Sequence, residues 1–255
     1  MTSVAFDAHL HRLTPGRPAG VRLYCFPFAG GSAASYRPWA ELVPRDVDLN
    51  SFQLPGRMER LAEPAAVDLR ALVPDLAAAV LNDLDDRPYG LFGHSMGSLL
   101  AYEIALELRR LGAPAPRLLA LSGRRAPQIE LEGFQPYHLM PDAEFLARIE
   151  RLGGIPPQLL QHRDLLDFML PTLRADFTAV ETYRAQPGAP LDCPLLVFGG
   201  TEDHDAPPDS LGAWAELSTA PSALQTYSGG HFFLWDHATT MLRLITDRLR
   251  DTPIQ

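Results

Sequence analysis

The sequence contains no lysine, so all 22 of its basic residues are arginine. Its 31 acidic residues outnumber them, and the formal net charge at pH 7 is −9 with histidine neutral. A surface with this excess of negative charge repels phosphate backbones, which argues against a nucleic acid as the partner. Alanine, proline and arginine are all favoured, and we interpret the missing lysine as a bias of the source rather than a sign of function.

Cysteine is scarce: only Cys25 and Cys193 are present, far apart and each in an apolar stretch. Two distant cysteines do not make a disulfide framework or a metal site, so we expect two buried thiols in neighbouring strands. Long hydrophobic runs are also missing, because none approaches the roughly 20 apolar residues that span a membrane. The first residues do not pair positive charge with an apolar stretch, as a secretory signal would. These features predict a cytoplasmic protein without membrane contact.

A chain of 255 residues is long enough to bury a large core, and we expect one domain over residues 1–255. Short apolar runs alternate with helical patterns, which predicts an α/β fold with a mostly parallel central sheet flanked by helices. The predicted strands are Val21–Phe28, Val47–Leu54, Tyr89–Phe92, Arg117–Leu121, Pro194–Phe198 and Ala223–Tyr227. The predicted helices are Leu69–Leu84, with Asp68 as its N-cap, Ser98–Leu111, followed by Gly112 at its end, and Thr239–Arg250.

The alternation of strands and helices stops between Ser122 and Leu191. Helical patterns take its place over Pro141–Leu152 and over Asp164–Arg184, where Pro171 is expected to interrupt the second helix. A helical insertion in a sheet protein commonly covers the functional site. We therefore expect residues 126–190, approximately, to form a lid, the alternative being an ordinary packing element.

The segment Gly93-His94-Ser95-Met96-Gly97 matches the pattern G-x-S-x-G between a predicted strand and a predicted helix. At such a turn the serine hydroxyl stands at the carboxyl end of the sheet, and the glycines leave room for the neighbouring strand and helix. The start of the following helix favours a developing negative charge. Ser95 is therefore the predicted nucleophile, whereas His94 is expected to have a structural role.

A serine hydroxyl needs a base to take its proton, and the base needs an acid to orient it. His231 follows Gly229-Gly230 in the loop after the last predicted strand, at the sheet edge that carries Ser95. Asp203 follows another strand at the same edge and is the predicted acid, with Glu202 and Asp205 as rivals. The order Ser, Asp, His is that of α/β-hydrolases. No metal site and no cofactor is expected, because His204 lacks a second histidine at helical spacing.

Acyl transfer through a tetrahedral intermediate needs two hydrogen-bond donors aimed at the oxyanion. The backbone N–H of Met96, directly after the nucleophile, is one predicted donor. The second is expected from the loop after the first predicted strand, where Ala29 is the first choice and Phe28 the alternative.

Several motifs, in order along nearly the whole chain, resemble the type II thioesterases that accompany polyketide synthases and non-ribosomal peptide synthetases. The matching segments are Phe26-Pro27-Phe28-Ala29-Gly30-Gly31-Ser32, Gln53-Leu54-Pro55-Gly56-Arg57, Gly93-His94-Ser95-Met96-Gly97, Leu170-Pro171-Thr172-Leu173-Arg174-Ala175-Asp176-Phe177, Gly199-Gly200-Thr201-Glu202-Asp203 and Gly229-Gly230-His231-Phe232-Phe233. The pentapeptide around Ser95 is common to many hydrolases, whereas the segments that contain Arg57, Asp176 and His231 are more particular to this family.

The resemblance implies an α/β-hydrolase fold with a helical lid, and an enzyme that hydrolyses acyl thioesters. The substrate would be an acyl or peptidyl carrier protein, whose phosphopantetheine arm carries a stalled or aberrant acyl group, and the enzyme is expected to be a monomer. The resemblance places the triad and the oxyanion hole at the positions derived above. The apolar residues expected to line the acyl site are Phe28, Leu166, Phe168, Met169 and Phe177, although the lid residues among them fit the lid's own core equally well.

Two other hypotheses remain open from the residues alone. One is a hydrolase with the same triad but another substrate, namely a chain-releasing thioesterase or a small-molecule esterase. The other is an inactive α/β-hydrolase that only binds acyl ligands or a partner protein. The presence of all three predicted triad residues argues against the inactive protein, because inactive members typically lose one of them.

Overall fold

A computed structural model of the chain describes residues 9–129, 133, 135–154 and 161–250. Seven strands form one sheet in the order β1-β3-β2-β4-β5-β6-β7. The strands are β1 (Leu10–Arg12), β2 (Val21–Phe26), β3 (Val47–Phe52), β4 (Tyr89–His94), β5 (Leu118–Ser122), β6 (Leu195–Gly200) and β7 (Ser222–Tyr227). Neighbouring strands pair in parallel, except that β1 is antiparallel to β3. The predicted mostly parallel sheet is therefore confirmed.

Helices cover both faces of this sheet and form an insertion between β5 and β6. The α-helices are α1 (Val73–Asp83), α2 (Met96–Arg110), α3 (Asp142–Leu152), α4 (Arg163–Thr182), α5 (Pro208–Leu211) and α6 (Ala238–Arg250). Short 3-10 helices span Ala33–Glu41, Met58–Arg60, Leu69–Leu72, Tyr137–Leu139 and Gly212–Leu217. Among the described residues, none of these helices has the length and apolar character required to cross a membrane.

The central strands are buried on both faces, as parallel strands between two helical layers must be. In β2, Tyr24 and Phe26 pack in the apolar cluster on the side of α1 and α2. The alternate residues Leu23 and Cys25 pack in a second cluster with α6. This division follows from the two-residue period of a strand, which sends successive side chains to opposite faces.

The helix predicted over Leu69–Leu84 begins as a 3-10 turn and becomes the α-helix α1 only at Val73. Asp68 caps this segment, and its carboxylate accepts a hydrogen bond from the N–H of Arg70. Pro74 has no N–H to donate to the carbonyl one turn earlier, which separates the two parts. At the end of α2, Gly112 adopts a φ of +73°, as predicted for a glycine that terminates a helix.

Pro171 does not interrupt α4, so this prediction is wrong. Leu166 and Leu173, on either side of the proline, are both buried in one apolar cluster of the insertion together with Phe145. Packing on both sides of Pro171 offsets the hydrogen bond that the proline cannot donate, and the helix continues.

One further expectation was wrong, and one strand was missed. Cys25 in β2 and Cys193 before β6 are buried free thiols, but their strands are not neighbours, because β4 and β5 lie between them. The sequence pattern also missed β1, whose Leu10 pairs with Phe52 of β3, because three residues are too few to show a period.

Candidate active site

The turn between β4 and α2 presents Ser95 at the carboxyl edge of the sheet. Ser95 has a φ of +54°, a strained value for a residue with a side chain. Its N–H donates to the carbonyl oxygen of Ser122 at 2.8 Å. A Cβ on Gly93 would lie 1.9 Å from the carbonyl oxygen of Gly97, and one on Gly97 would lie 2.2 Å from that of Phe26. Both glycines are therefore required by the close approach of backbone.

Ser98 stabilises this turn, and sequence reasoning did not identify it. Its hydroxyl oxygen lies 2.9 Å from the carbonyl oxygens of both Gly93 and Ser122. The same oxygen accepts a hydrogen bond from the N–H of Ser122 at 3.0 Å. One buried hydroxyl thus connects the end of β4 to the end of β5 beside the Ser95 turn.

His231 and Asp203 form a buried pair at the same edge of the sheet. The Nδ1–H of His231 donates to Oδ2 of Asp203 at 2.8 Å, so Nε2 is the nitrogen that can accept a proton. The other carboxylate oxygen accepts from the N–H groups of Asp205 and Ala206. Burial disfavours the charge of Asp203, but the charge and hydrogen bond of His231 and these N–H groups outweigh it, so the pKa of Asp203 is lowered.

Among the described residues, neither rival carboxylate makes a hydrogen bond to His231. Glu202 is exposed to solvent. Asp205 accepts a hydrogen bond from the hydroxyl of Tyr137, with distances of 2.7 and 3.0 Å to its two oxygens. Among the three candidates for the acid, Asp203 is the one whose carboxylate contacts His231.

Ser95 and His231 line one cleft. Phe28, Ala29 and Phe177 line it as well, so the predicted oxyanion loop and one predicted acyl contact from α4 meet the two catalytic candidates. The other residues predicted to contact the acyl group do not line this cleft. Leu166 and Met169 pack in the insertion's own apolar cluster, and Phe168 is 61% exposed.

The polar side of the cleft carries Arg124, another residue that the sequence did not single out. Burial lowers the pKa of Arg124 to about 9, and the neighbouring charge of Arg125 acts in the same direction. The guanidinium therefore remains mostly protonated at neutral pH. The loop that holds both arginines follows β5 directly, which places them beside the Ser95 turn.

Ala29 lies in a tight turn, closed by a hydrogen bond of 2.8 Å from the N–H of Gly31 to the carbonyl oxygen of Phe28. Met96 is the first residue of α2 and is buried. The N–H groups of the first turn of a helix have no acceptor within the helix, so this position is suited to bind an anion.

His94 lies close to His231, with 5.0 Å between the ring centroids. It is fully buried, and its Nδ1 is 2.9 Å from the hydroxyl oxygen of Ser122. Burial, together with the charge of His231, lowers the pKa of His94 well below its ordinary value. The ring is therefore neutral, and it packs against the ring of His231.

A serine at a helix N-terminus, a histidine oriented by a carboxylate, and backbone donors around one cleft are the groups needed for nucleophilic acyl transfer. Among the described residues, the hydroxyl of Ser95 makes no hydrogen bond, and such contacts are often loose in the absence of substrate.

Residues 21–249 match the family model described as the thioesterase domain. The chain is 36% identical over 232 residues to the gramicidin S biosynthesis protein GrsT of Aneurinibacillus migulanus, covering 91% of this chain and 90% of that protein. It is 37% identical over 240 residues to thioesterase PikA5 of Streptomyces venezuelae, covering 94% and 85%. The solved structure of BorB, the type II thioesterase from the borrelidin biosynthetic cluster, is similar with a TM-score of 0.88 at 35% identity and covers 96% of this chain and 98% of BorB.

Proposed function

Because the chain belongs to the thioesterase family and is a hydrolase of thioester bonds, we propose that it removes acyl groups from carrier proteins in polyketide or non-ribosomal peptide biosynthesis. The substrate is an acyl group held as a thioester on the phosphopantetheine arm, and the biological role is the removal of aberrant or stalled groups. The observation that carries the proposal is the hydrogen bond between His231 and Asp203 beside the cleft that Ser95 lines.

In the first half of the reaction, Nε2 of His231 accepts the proton of the Ser95 hydroxyl as its oxygen attacks the thioester carbonyl. The negative charge of Asp203 stabilises the imidazolium that forms, which its lowered pKa permits. The C–S bond then breaks, the proton passes from His231 to the leaving sulfur, and the acyl group remains as an ester on Ser95.

In the second half, a water molecule takes the place of the thiol. His231 accepts a proton from the water as it attacks the ester carbonyl, and then returns that proton to the oxygen of Ser95. The products are the free carboxylic acid and the regenerated serine. In both halves the N–H groups of Met96 and Ala29 bind the oxyanion of the tetrahedral intermediate.

The insertion acts as a lid in this proposal, because Phe177 of α4 forms part of the cleft wall above Ser95. Apolar lining favours an acyl chain over water, and the exclusion of water strengthens the electrostatic interactions within the cleft. The relatives support a carrier-protein substrate, since GrsT is named for gramicidin S biosynthesis and BorB belongs to a biosynthetic cluster.

The test compares one acyl group on a holo carrier protein with the same group on N-acetylcysteamine. We expect a higher kcat/KM for the carrier-protein thioester, and equal values would favour a generic esterase. Ser95→Ala is expected to abolish both reactions while the melting temperature is maintained. Ser222→Ala, an exposed serine at the start of β7, serves as the control and keeps full activity. Wild-type turnover by Ser95→Ala would refute the assignment of the nucleophile.

A further inference from the structure

A buried ion pair connects the insertion to the loops of the sheet. Asp176 lies on α4, and Arg57 lies in the loop that follows β3. Nη2 of Arg57 is 2.7 Å from Oδ1 of Asp176, and Nη1 is 2.7 Å from Oδ2, so the contact is bidentate. The two side chains are 9% and 3% exposed.

The same two side chains hold the loop that carries the proposed oxyanion donor. Oδ2 of Asp176 accepts a hydrogen bond of 2.7 Å from the N–H of Gly30, the residue directly after Ala29. Nη1 of Arg57 donates to the carbonyl oxygen of Gly31 at 3.0 Å. The peptide group that joins Ala29 to Gly30 is therefore attached at its nitrogen to a charged side chain of α4.

Close packing also connects α4 to the loop that contains Gly30. Gly30 has a φ of +76°, and a Cβ at this position would lie 2.4 Å from Cδ2 of Leu173 on α4. One residue earlier, the hydroxyl of Thr172 donates to the carbonyl oxygen of Gly56 at 2.9 Å, next to Arg57. The middle of α4 thus packs directly against both loops.

Stability alone does not explain these contacts. A buried ion pair contributes little net stability, because the desolvation of two charges offsets their attraction, and apolar residues of similar volume often serve as well. Charged hydrogen bonds to backbone are instead strong and directional, so they determine the orientation of the peptide group that they contact. An oxyanion donor is effective only when its orientation is set before the reaction.

We propose that Arg57 and Asp176 are positioning residues: by holding the Ala29–Gly30 peptide they fix the Cα of Ala29, and this restricts the preceding Phe28–Ala29 peptide so that its N–H, that of Ala29, is directed at the oxyanion. This inference rests on the function proposed above. Because Asp176 lies on α4, this helix of the insertion then helps to position the proposed oxyanion donor. The insertion then acts on the rate of the chemical step as well as on substrate binding.

The first experiment measures hydrolysis of propionyl-N-acetylcysteamine, so that no carrier protein is required. Asp176→Asn keeps the shape of the side chain but loses its charge. We expect kcat to fall about 10- to 100-fold with KM within about twofold, because the oxyanion is bound only in the transition state. The control is Asp48→Asn, which weakens the buried pair of Asp48 and Arg22 at the other end of β2 and β3 and is expected to keep the wild-type kcat.

The second experiment separates positioning from folding. The double variant Arg57→Met/Asp176→Leu removes both charges and fills their volume with apolar groups, so its melting temperature is expected to return close to wild type. Its kcat is expected to remain as low as that of Asp176→Asn. If kcat recovers together with the melting temperature, the pair is structural and the inference is wrong.

A transition-state analogue provides an independent readout. A trifluoromethyl ketone analogue of the thioester adds to Ser95 and places an oxyanion in the hole, whereas the unreactive thioether analogue does not. In Asp176→Asn we expect the affinity for the ketone to fall by the same factor as kcat, and that for the thioether to remain unchanged. Equal losses for both compounds would overturn the inference.

Failure of this inference is distinguishable from failure of the proposed function. Hydrolysis that survives Ser95→Ala refutes the proposed function, and the inference falls with it. Hydrolysis that depends on Ser95 but proceeds with an unchanged kcat in Asp176→Asn refutes the inference alone. Should Asp176→Asn not fold, the double variant tests the same loss of kcat.

Discussion

Replacing Gly97 by alanine is expected to push the proposed oxyanion loop away from Ser95, the proposed nucleophile. The added Cβ would lie 2.2 Å from the carbonyl oxygen of Phe26 and 3.1 Å from that of Pro27. Cβ contacts shorter than 3.0 Å are essentially never seen, so the backbone around Phe26 or the first turn of α2 must move by at least about 0.8 Å. Flexible side chains cannot absorb this movement, because the obstructing atoms belong to the main chain.

The movement is expected to lower the rate, because the segments around Phe26 and Gly97 lead directly to Ala29 and Ser95. Phe26 is three residues before Ala29, and Gly97 is two residues after Ser95. Displacement of either segment therefore changes the distance between the nucleophile and the proposed oxyanion donor. A misplacement of about 1 Å costs on the order of 100-fold in rate. Overpacking of this kind costs about 2 kcal/mol of unfolding free energy, which lowers the melting temperature by about 4–8 °C.

The assay measures kcat for thioester hydrolysis and the melting temperature of the same preparation. Gly212→Ala is the matched control, because a Cβ there meets no atom within 4 Å and its φ is −58°. The control is expected to retain kcat and to be slightly more stable, since alanine restricts the unfolded chain more than glycine does. A Gly97→Ala variant with kcat within twofold of wild type would refute this reasoning about the turn.

Two further predictions concern the histidines. Asp203→Asn is expected to lower kcat by about 10⁴-fold in a folded protein, because asparagine can hold the wrong tautomer of His231, and a loss below tenfold would contradict the proposed role. The pKa of His94 is lowered in the folded state, so only the unfolded chain binds a proton at this residue as the pH falls below about 6.5. The unfolding free energy therefore falls by up to about 1.4 kcal/mol per pH unit until the pKa of the folded state is reached. In His94→Gln, the unfolding free energy measured with urea is expected to fall less between pH 7 and pH 5 than in the wild type. An equal fall in both proteins would contradict the burial argument.

The sheet and the Ser95 turn were predictable because their signals are local. Each central strand is a short apolar run, and burial on both faces requires such a run. A Cβ at position 93 or 97 would lie only 1.9 or 2.2 Å from a main-chain carbonyl oxygen, so glycine is required at both positions. Local chemistry and the observed geometry therefore agree at this turn.

The connection between Arg57 and Asp176 was not predictable in the same way. The residues lie 119 positions apart, and neither shows a local pattern that indicates its partner. The family resemblance marked both segments as distinctive, but a motif does not state which atoms meet. The direct hydrogen bond from Gly30 to Asp176 emerged only from the packing of α4 on the loop.

The apolar residues of α4 illustrate a second limit of sequence reasoning. Leu166, Met169 and Phe177 are equally apolar and lie on one helix, so periodicity predicts burial but not the surface that buries them. In the structure Phe177 lines the cleft, whereas Leu166 and Met169 fill the core of the insertion. The long-range packing of α4, which includes the contacts of Asp176 with Gly30 and Arg57, decides between the two outcomes.

The packing of α4 divides the helix between two apolar clusters. Its first half contributes Leu166 to the insertion's own cluster, whereas Ala179 and Val180 near its end belong to the core that covers the sheet. Asp176 lies between these parts, where the helix meets the oxyanion loop. The end of α4 therefore packs on the core that holds Ser95 and lines the cleft through Phe177 and Val180, while its beginning packs within the insertion. Substitutions at Phe177 are therefore expected to change the acyl groups that fit, whereas substitutions at Leu166 are expected to change the packing within the insertion.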